Sequence, residues 1–454
     1  MKNKSRFIFL SFLLLLICTA FIGVAAADTP FSGSGSGTAE DPYQIATAGQ
    51  LDEIRNNLSA SYILMNDLDL KEAGFSEWKP ISGYWGEVFS GNFDGNNKTI
   101  RNMYIDDEEQ NGAGLFADAI GSTISNLNFE NATVNGGYFY AGVLSGTFSN
   151  GTIQNCTVRN STVSGRFVGG LLIGHGFRGD VINCTAVDSK MTSLGNGGIV
   201  GHNVENKIKN CYVDNVSFEG GWAGGITGGT DYVSSNHTSS IDSCSATNIT
   251  INVTGTFGGI AATSGNITIR NCYSDGIFVT DSDAYETGYY TNADVGGIVG
   301  GCYNTTIENC YTTATVKHKT SLGYTGGIVG NCTNTTITNC TALNKEVRRS
   351  VPEISFAAAQ FKLYFKTGHI AGNAENSQIT GCCYWKGTDT NWFASKNGQK
   401  VNSKDVWNTY PNSIWTGWDT TVWTMGPKEN DKLPVLTGFP ETSANTSFLM
   451  PKNG

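Results

Sequence analysis

The sequence has few charged side chains and very little histidine. Charged residues make up 15% of the 454 residues, below the usual roughly 25%. The five histidines are His175, His202, His237, His318 and His369. None has an acidic residue at motif spacing, and the chain contains neither a Gly-x-Ser-x-Gly elbow nor a Gly-Lys-Ser/Thr phosphate loop. We therefore predict no catalytic residues, no cofactor and no enzyme activity.

Long apolar runs are also missing, except at the N-terminus. There a basic head precedes an apolar core at residues 7–17, and Ala25-Ala26-Ala27 has the small residues of a cleavage site. We predict that residues 1–27 are a signal peptide, with an uncleaved anchor or lipid attachment at Cys18 as the alternative. Residues 441–454 form a polar tail. We therefore expect an exported protein with no transmembrane span after cleavage.

Positive charge is scarce as well. Asp and Glu total 39 against 29 Lys and Arg, and removing the predicted signal peptide takes the net charge from −10 to −13. This balance argues against a nucleic-acid partner. Glycine, at 57 residues, exceeds the usual roughly 7% and favours a turn-rich β protein.

The most prominent positive feature of the sequence is a four-residue phrase that occurs ten times. It consists of an aliphatic residue, a variable residue, usually Asn, and then a small or apolar residue that is most often Cys. The copies begin at Ile100, Ile124, Ile153, Val181, Ile208, Ile241, Ile269, Ile307, Ile337 and Ile379. Most are 24 to 33 residues apart, with gaps of 38 and 42. Such a period predicts a solenoid.

The third position of the phrase predicts a corner. Its first and fourth residues are three apart, and both can face inward only if the chain bends between them. Asn and Gly, which fill this position in most copies, are the residues that most readily accept positive φ. We expect the corner asparagines to form a ladder of hydrogen bonds between coils. Its members are Asn155, Asn183, Asn210, Asn271, Asn309 and Asn339.

Twelve cysteines in an exported chain would normally indicate disulfides. Eight of them, from Cys156 to Cys382, occupy the fourth position of the phrase, which Met103 and Leu127 fill in the first two copies. A position shared by these types indicates an inward apolar slot for free Cys. Pairing between copies and metal binding are the alternatives. Cys302 and Cys332, at a second shared position, are the best candidates for a disulfide.

Paired glycines precede most copies, as in Gly296-Gly297-Ile298, and indicate a tight bend or close backbone approach. With two or three short strands per coil, we predict an all-β, right-handed parallel β-helix of about ten coils over residues 100–383. Residues 28–99 are predicted as a lead-in and cap with a short helix, because Thr47 to Gln50 has the spacing of a capping box. Residues 384–440 are predicted as a Trp-rich C-terminal cap, with a sugar-binding Trp platform as the alternative.

The glycine strings at Gly197 to Gly201, Gly296 to Gly300 and Gly326 to Gly330 resemble the motif of the GLUG-motif repeat proteins of bacteria and archaea. Residues 37–45 and Phe89 to Gly95 are similar to the segment that leads into those repeats. The resemblance covers roughly residues 37–436. It implies an exported, adhesin-like surface protein. Some family members are proteases with a separate zinc domain, but this chain has no His-Glu-x-x-His, so that activity does not transfer.

The longer repeats insert loops at residues 231–240, 281–292 and 345–368, and such insertions often form the binding face of a solenoid. The middle loop combines acids that are weak calcium candidates with tyrosines that are ligand candidates. These residues are Asp281, Asp283, Glu286, Tyr285, Tyr289 and Tyr290. The spacing is not that of an EF-hand, and a solvated loop packed by its own tyrosines is the alternative.

We therefore predict a non-enzymatic secreted or cell-surface protein that presents loops to an envelope or extracellular polysaccharide or protein. Seventeen Asn-x-Ser/Thr sequons after residue 27 make it a glycoprotein candidate. The alternative is a carbohydrate-active enzyme or glycan-binding module that uses the β-helix groove. The outward acids Asp214 and Asp275 are predicted to lie two coils, about 10 Å, apart, which is too far for a retaining pair and slightly beyond the inverting range.

Overall fold

The structure is a computed structural model that describes residues 30–83, 86–231, 239–280, 293–319, 323–349, 366–390, 397–407, 414–415, 417–424 and 433–439. Three sheets of parallel strands wind around one apolar core, and this confirms the predicted parallel β-helix. The predicted signal peptide and polar tail lie outside the described residues.

Sheets A and C contribute at most one short strand to each described coil. The twelve strands of sheet A are Tyr43–Ile45, Ser61–Leu64, Asn92–Asp94, Thr123–Ser125, Thr152–Gln154, Asp180–Ile182, Lys207–Lys209, Ser239–Asp242, Ile267–Arg270, Thr306–Glu308, Thr336–Thr338 and Gln378–Thr380. The nine strands of sheet C are Phe116–Ile120, Ser145–Ser149, Ile173–Phe177, Val200–Val204, Thr227–Asp231, Ala261–Gly265, Val299–Tyr303, Val329–Thr333 and Ala371–Glu375. Sheet A begins at Tyr43, so the stacked coils extend into the segment predicted as lead-in.

Sheet B is bent and contributes up to three strands to each coil. Its 25 strands are Leu68–Asp69, Thr99–Arg101, Tyr104–Asp107, Gly112–Ala113, Asn128–Glu130, Thr133–Gly136, Tyr140–Ala141, Thr157–Arg159, Thr162–Ser164, Val168–Gly170, Thr185–Gly197, Tyr212–Gly224, Ser245–Val253, Phe257–Gly258, Tyr273–Thr280, Val295–Gly296, Tyr311–Thr312, Thr315–His318, Tyr324–Gly326, Thr341–Ala342, Glu346–Arg349, Lys366–Gly368, Cys383–Trp385, Asp389–Thr390 and Gln399–Val401. Within the described residues, nine coils thus run from sheet A through sheet B to sheet C.

Left-handed residues turn the chain at three columns of corners. The first column, between sheets A and B, contains Asn126, Asn155, Asn183, Asn210, Ser243, Asn271, Asn309, Asn339 and Gly381. The second lies within sheet B and contains Asn102, Asn131, Asn160, Asp188, Asn215 and Asn248. The third, between sheets C and A, contains Gly121, Asn150, Arg178, Glu205, Asn266, Asn304, Asn334 and Asn376. All of these residues have positive φ, and most are Asn because Asn tolerates this conformation.

The sequence analysis placed the first copy of the repeated phrase in the same corner column as the other copies, and this assignment was wrong. Ile100 pairs in register with Phe129 in sheet B, whereas Ile124 pairs with Ile153 in sheet A. Asn102 therefore belongs to the second corner, and Met103 does not share the cysteine slot. The same phrase arises at both corners because each needs a left-handed residue between two inward side chains.

The described residues contain two short α-helices, one between the first two strands of sheet A and one after the last strand of sheet B. The N-terminal helix Ala48–Asp52 begins with the predicted capping box, in which Thr47 Oγ1 accepts from Gln50 N and Gln50 Oε1 accepts from Thr47 N. A 3-10 turn, Glu53–Asn56, continues it, and Ile45, Leu51 and Ile54 join the core. The second helix is Ser403–Trp407, and the small antiparallel sheet is formed by Trp423–Thr424 and Val435–Leu436.

The C-terminal tryptophans pack along the flank of the β-helix. Trp415, Trp418 and Trp423 are buried against Tyr311, an outward residue of sheet B. Further back along the sheet, Phe439 contacts Tyr212. Tyr212 and Tyr311 are separated by two intervening coils, so the segment covers several coils laterally.

Candidate functional site

An exposed aromatic surface lies on one side of sheet B. In two successive coils the chain crosses here by short loops, and in the next coil by the strand Thr185–Gly197; Val168 N donates to Phe139 O, and Gly195 N donates to Phe167 O. Phe139, Phe167 and Leu194 are therefore stacked along the β-helix axis, and Phe139 and Leu194 are 43% and 44% exposed. We call Tyr138, Phe139, Tyr140 and Phe167 the aromatic strip.

The rings of the aromatic strip hold one another in place. Phe139 and Phe167 stack with ring centroids 5.8 Å apart, and Tyr138 packs edge-on against Phe139 at 4.7 Å. The guanidinium of Arg166 lies 4.8 Å from the ring centre of Tyr138. Aromatic pairs and cation–π contacts of this kind stabilise the arrangement of the rings. The strip is therefore a preformed apolar platform.

A polar row borders the strip on sheet C. Asp118, Thr147, His175 and His202 are register partners on four successive strands. Tyr140 stacks on His175 at 4.6 Å, and the His175 and His202 rings are 5.3 Å apart. Burial raises the pKa of Asp118, which accepts a hydrogen bond from Thr147, and burial also raises the pKa of Tyr140.

A pocket of about 630 Å³ adjoins the other end of the strip. We call it the acidic pocket; it is lined by Lys79, Gly83, Asp106, Asp107, Glu108, Glu109, Gln110 and Asn111. Tyr138 N donates to Gln110 O, and Phe139 N donates to Asn111 O. Pocket residues Gln110 and Asn111 thus lie one coil before Tyr138 and Phe139 of the strip.

The calcium and tyrosine candidates lie outside the described residues. Asp281, Asp283, Glu286, Tyr285, Tyr289 and Tyr290 all fall between the strands that end at Thr280 and begin at Val295. Val295 pairs with Phe257, in the same part of sheet B as the strand that begins at Tyr140. The strand that begins at Lys366 belongs to the same part of sheet B, because it pairs with the strand that begins at Tyr324, which in turn pairs with Val295 and Gly296.

The corner ladder is hydrogen-bonded over its central coils. Asn155 Nδ2 donates to Asn126 Oδ1 at 3.0 Å, Asn183 to Asn155 at 3.2 Å and Asn210 to Asn183 at 3.1 Å. Ser243 interrupts this series, and Asn271 Nδ2 donates to Asp242 Oδ1 instead. Asn309 and Asn339 occupy the same column with the same left-handed backbone. These residues serve the scaffold and do not line the aromatic strip.

The cysteines of the repeated phrase are buried free thiols. The eight from Cys156 to Cys382 are at most 3% exposed, and each thiol donates to the carbonyl two residues earlier. Burial raises the pKa of Cys156 and Cys310, which disfavours their thiolates. Leu127 occupies the same apolar slot.

The disulfide predicted between Cys302 and Cys332 is not formed in the structure. The two residues are register partners on adjacent strands of sheet C, and both are free thiols. Cys332 Sγ donates instead to Asn373 O on the next coil, and Cys302 Sγ contacts Thr335 Oγ1. Each thiol therefore has its own polar partner.

The two outward acids belong to the scaffold. Asp214 accepts hydrogen bonds from Thr247 at 2.6 Å and Asn248 at 2.8 Å. Asp275 accepts from Thr313 at 3.0 Å, and burial raises its pKa. Within the part of the chain that the structure describes, no three His, Cys, Asp or Glu side chains form a metal-binding group. None of the helices there has the length and apolarity to cross a membrane.

The sequence interpretation did not identify the aromatic strip. Its signal is local: three consecutive aromatics follow Gly136 and Gly137, and Arg166-Phe167 follows Gly165 one coil later. Aligning the repeats identified the inward apolar positions. Tyr138, Phe139 and Phe167 lie instead in the loops just before two sheet B strands, where the sequence varies from coil to coil. The pairing of His175 with His202 was missed for a related reason, because their 27-residue separation matters only once the register is known.

No protein-family model matches the chain. The chain is 36% identical over 118 residues to a Gly-rich membrane protein of Evansella cellulosilytica, which covers 24% of this chain and 14% of that protein. It is 33% identical over 90 residues to halomucin of Haloquadratum walsbyi. This match covers 18% of this chain and 1% of halomucin. The matched region is thus a small part of the length of both relatives.

Two solved structures are similar in fold. One is described as an immunoglobulin A1 protease from Bacteroides ovatus and has 19% identity, a TM-score of 0.34 and coverage of 89% of this chain and 94% of that chain. The other is the A-module of the Azotobacter vinelandii mannuronan C-5 epimerase AlgE6, with 10% identity, a TM-score of 0.30 and coverage of 82% and 96%. These likenesses concern the β-helix alone.

Proposed function

We propose that this protein is an exported, cell-surface β-helix that binds a glycan along the aromatic strip without chemically changing it. The observation that carries the proposal is the exposed stack of Phe139 on Phe167, bordered by Tyr138 and Tyr140. Leaving such rings in water is unfavourable, and an exposed apolar patch rimmed by polar groups marks a binding surface.

Sugar rings match this surface chemically. Their C–H faces pack on aromatic rings, while their hydroxyls need hydrogen-bonding groups nearby. The acidic pocket at one end and the polar row of His175 and His202 on sheet C supply such groups. Preformed rings also lose little conformational entropy on binding. The strip therefore suits a polysaccharide segment that runs along several coils.

Export and surface location are part of the proposal. They are supported by the signal-peptide pattern of residues 1–27, by the resemblance to GLUG-motif repeat proteins, and by the partial likeness to a Gly-rich membrane protein. In this setting the β-helix is a rigid carrier that presents the strip to an envelope or extracellular polysaccharide. Fractionation of producing cells, with immunodetection of the full chain, tests the location.

A glycan array followed by calorimetry tests the binding function. We expect the purified protein to bind at least one oligosaccharide, and the double substitution Phe139→Ala and Phe167→Ala to weaken that binding at least tenfold. Tyr303→Ala is the control, because Tyr303 is 50% exposed at the end of a sheet C strand three coils beyond His202. Equal loss in the control, or undiminished binding by the double variant, contradicts the proposal.

A second candidate function is carbohydrate-active catalysis at the polar row. It is favoured by the contact of Tyr140 with His175, since both side chains are of types that can take part in proton transfer. Incubation with surface polysaccharides, followed by chromatography of products, separates the two functions. If the protein releases products and His175→Ala abolishes that release, the function is catalysis and not binding alone.

A further inference from the structure

Arg166, beside the aromatic strip, differs from the other described arginines in its contacts. Six of those arginines form ion pairs with carboxylates: Arg55, Arg101, Arg159, Arg178, Arg270 and Arg348. Arg349 is buried and donates to Gly323 O. Arg166 is exposed and, within the part of the chain that the structure describes, has neither an ion pair nor a hydrogen-bond acceptor. Its five N–H groups are therefore available to a ligand.

Two rings of the strip hold the guanidinium of Arg166. It lies 4.8 Å from the ring centre of Tyr138 and 5.7 Å from that of Phe167, which belong to adjacent coils. A guanidinium that contacts aromatic rings keeps its N–H groups free, and their fork matches the two oxygens of a carboxylate. The strip thus presents an oriented cation beside apolar rings. A uronic acid has both matching parts, a C–H face for the rings and a carboxylate for the cation.

The apolar surface continues beyond the strip over the next two coils. Trp222 is the register partner of Gly195 in sheet B. A Cβ on Gly195 would lie 2.5 Å from Trp222 Cε2, and a Cβ on Gly221 would lie 2.7 Å from Leu194 Cδ1. The two glycines therefore let the side chains of Trp222 and Leu194 lie against the backbone. From Tyr140 to Trp222 the surface spans three coil spacings, about 14 Å, which gives room for several sugars of one chain.

We propose that the surface from Tyr138 to Trp222 binds a polysaccharide that contains uronic acid, with one carboxylate held by Arg166. This inference rests on the proposed function and names the class of its ligand. The carboxylate accepts two hydrogen bonds from the guanidinium, while the C–H face of the same sugar packs on Phe167. Neighbouring sugars lie on the other rings of the strip and on Trp222.

The acidic pocket limits where the carboxylates of such a ligand can lie. Asp106, Glu108 and Glu109 are exposed there, and their charge repels a carboxylate at that end of the strip. An uncharged sugar, which presents only hydroxyls, meets no such repulsion. The ligand that fits both places therefore combines uronic acid with uncharged sugars, and the uncharged sugar lies nearer the pocket.

Calorimetry with two matched hexasaccharides tests the inference. One alternates glucuronate with N-acetylglucosamine, and in the other the carboxyl groups are reduced, so that glucose replaces glucuronate. Titrated into the full chain at pH 7, the acidic hexasaccharide should bind at least fivefold more tightly, with a preference that shrinks as salt is added because exposed charges are screened. Arg166→Gln should reduce the preference to below twofold and leave binding of the uncharged hexasaccharide unchanged.

Two further variants complete the test. Arg159→Gln is the matched control and should keep the preference, because it removes the same charge from an arginine that is already paired with Asp188. Trp222→Ala should weaken both hexasaccharides alike, because the indole packs on sugars regardless of their charge. Undiminished binding by Trp222→Ala overturns the extension of the surface to Trp222.

Equal binding of the two hexasaccharides by the wild type, or an unchanged preference in Arg166→Gln, overturns the inference and leaves the proposed function intact. Tighter binding of a sulfated form of the reduced hexasaccharide than of the acidic one also overturns it, since Arg166 would then select sulfate. If the wild type binds neither hexasaccharide, the inference fails, and the glycan array decides the proposed function separately. If Phe139→Ala with Phe167→Ala binds both as the wild type does, the proposed function fails as well.

Discussion

At the scale of single residues, the corner asparagines combine two tasks. Asn183 has φ of 54°, which strains most residues with a Cβ, and its amide also links Asn155 below to Asn210 above. Asn is common at these corners because its side chain suits both the backbone and the ladder. This dual role could be predicted from the sequence, since Asn, Ser and Gly at one repeated position indicate a tight corner, and the predominance of Asn indicates a side chain that bonds to its neighbours.

Substitution of Asn183 separates the two tasks. We expect Asn183→Ala to destabilise the protein by about 2 kcal/mol, from left-handed strain and two lost hydrogen bonds. Asn183→Gly should cost only about 1 kcal/mol, because Gly accepts the backbone but not the ladder. Urea unfolding measures both. Equal losses in the two variants would mean that the strain is unimportant.

The burial of His318 leads us to expect that acid lowers the stability of the coil that contains it. Burial, together with nearby Arg349, lowers the pKa of His318 to about 3, and its Nδ1 is hydrogen-bonded to Thr325 Oγ1 at 2.8 Å. Between pH 6.5 and 3 the unfolded chain therefore binds a proton that the folded chain does not, so stability falls as the pH is lowered through this window. Relative to His318→Gln, the wild type should lose up to about 1.4 kcal/mol per pH unit in unfolding experiments. Parallel pH profiles of the two proteins would refute this.

At the scale of elements, the sequence interpretation succeeded where a constraint recurs in every coil. Paired glycines, inward aliphatics and corner residues repeat because each coil packs on similar neighbours. It failed where the same four-residue phrase occurs at two different corners, as with the copy that begins at Ile100. It also failed where a feature occurs in only a few coils. The aromatic strip and the acidic pocket are of the latter kind, because they depend on which loops the register brings together.

The glycine pairs show how closely the coils approach. A Cβ on Gly297 would lie 2.2 Å from Gly327 O of the next coil. We expect Gly297→Ala to destabilise the protein by about 3 kcal/mol through overpacking. Gly49→Ala is the control: its nearest neighbour would be Thr47 Oγ1 at 3.9 Å, and helix propensity should make it neutral or slightly stabilising. Similar thermal midpoints for the two variants would contradict the close-packing account.

At the scale of the whole molecule, a solenoid is stabilised mainly by contacts between neighbouring coils. The C-terminal tryptophans depart from this rule, because they pack along the flank and link residues far apart in sequence, such as Tyr212 and Phe439. Their burial favours the predicted packing role over a Trp platform for sugars. The exposed aromatic surface lies instead at the strip, about 300 residues earlier.

The lateral packing predicts a local response to its loss. Trp418 is 1% exposed and contacts Trp423 and Tyr311. Trp418→Ala should cost about 3–5 kcal/mol within the C-terminal segment and increase proteolysis there, while the main unfolding transition of the coils stays close to that of the wild type. Collapse of the whole β-helix in this variant would show that the segment is part of the core.

Hydrogen-exchange mapping of the full chain with and without a bound oligosaccharide tests the central claim most directly. We predict that the ligand increases protection at residues 106–111, 137–141 and 165–168, which form the acidic pocket and the aromatic strip, and leaves the corner columns unchanged. Protection confined to residues 281–292, or to the C-terminal tryptophans, would contradict the account and move the binding site elsewhere.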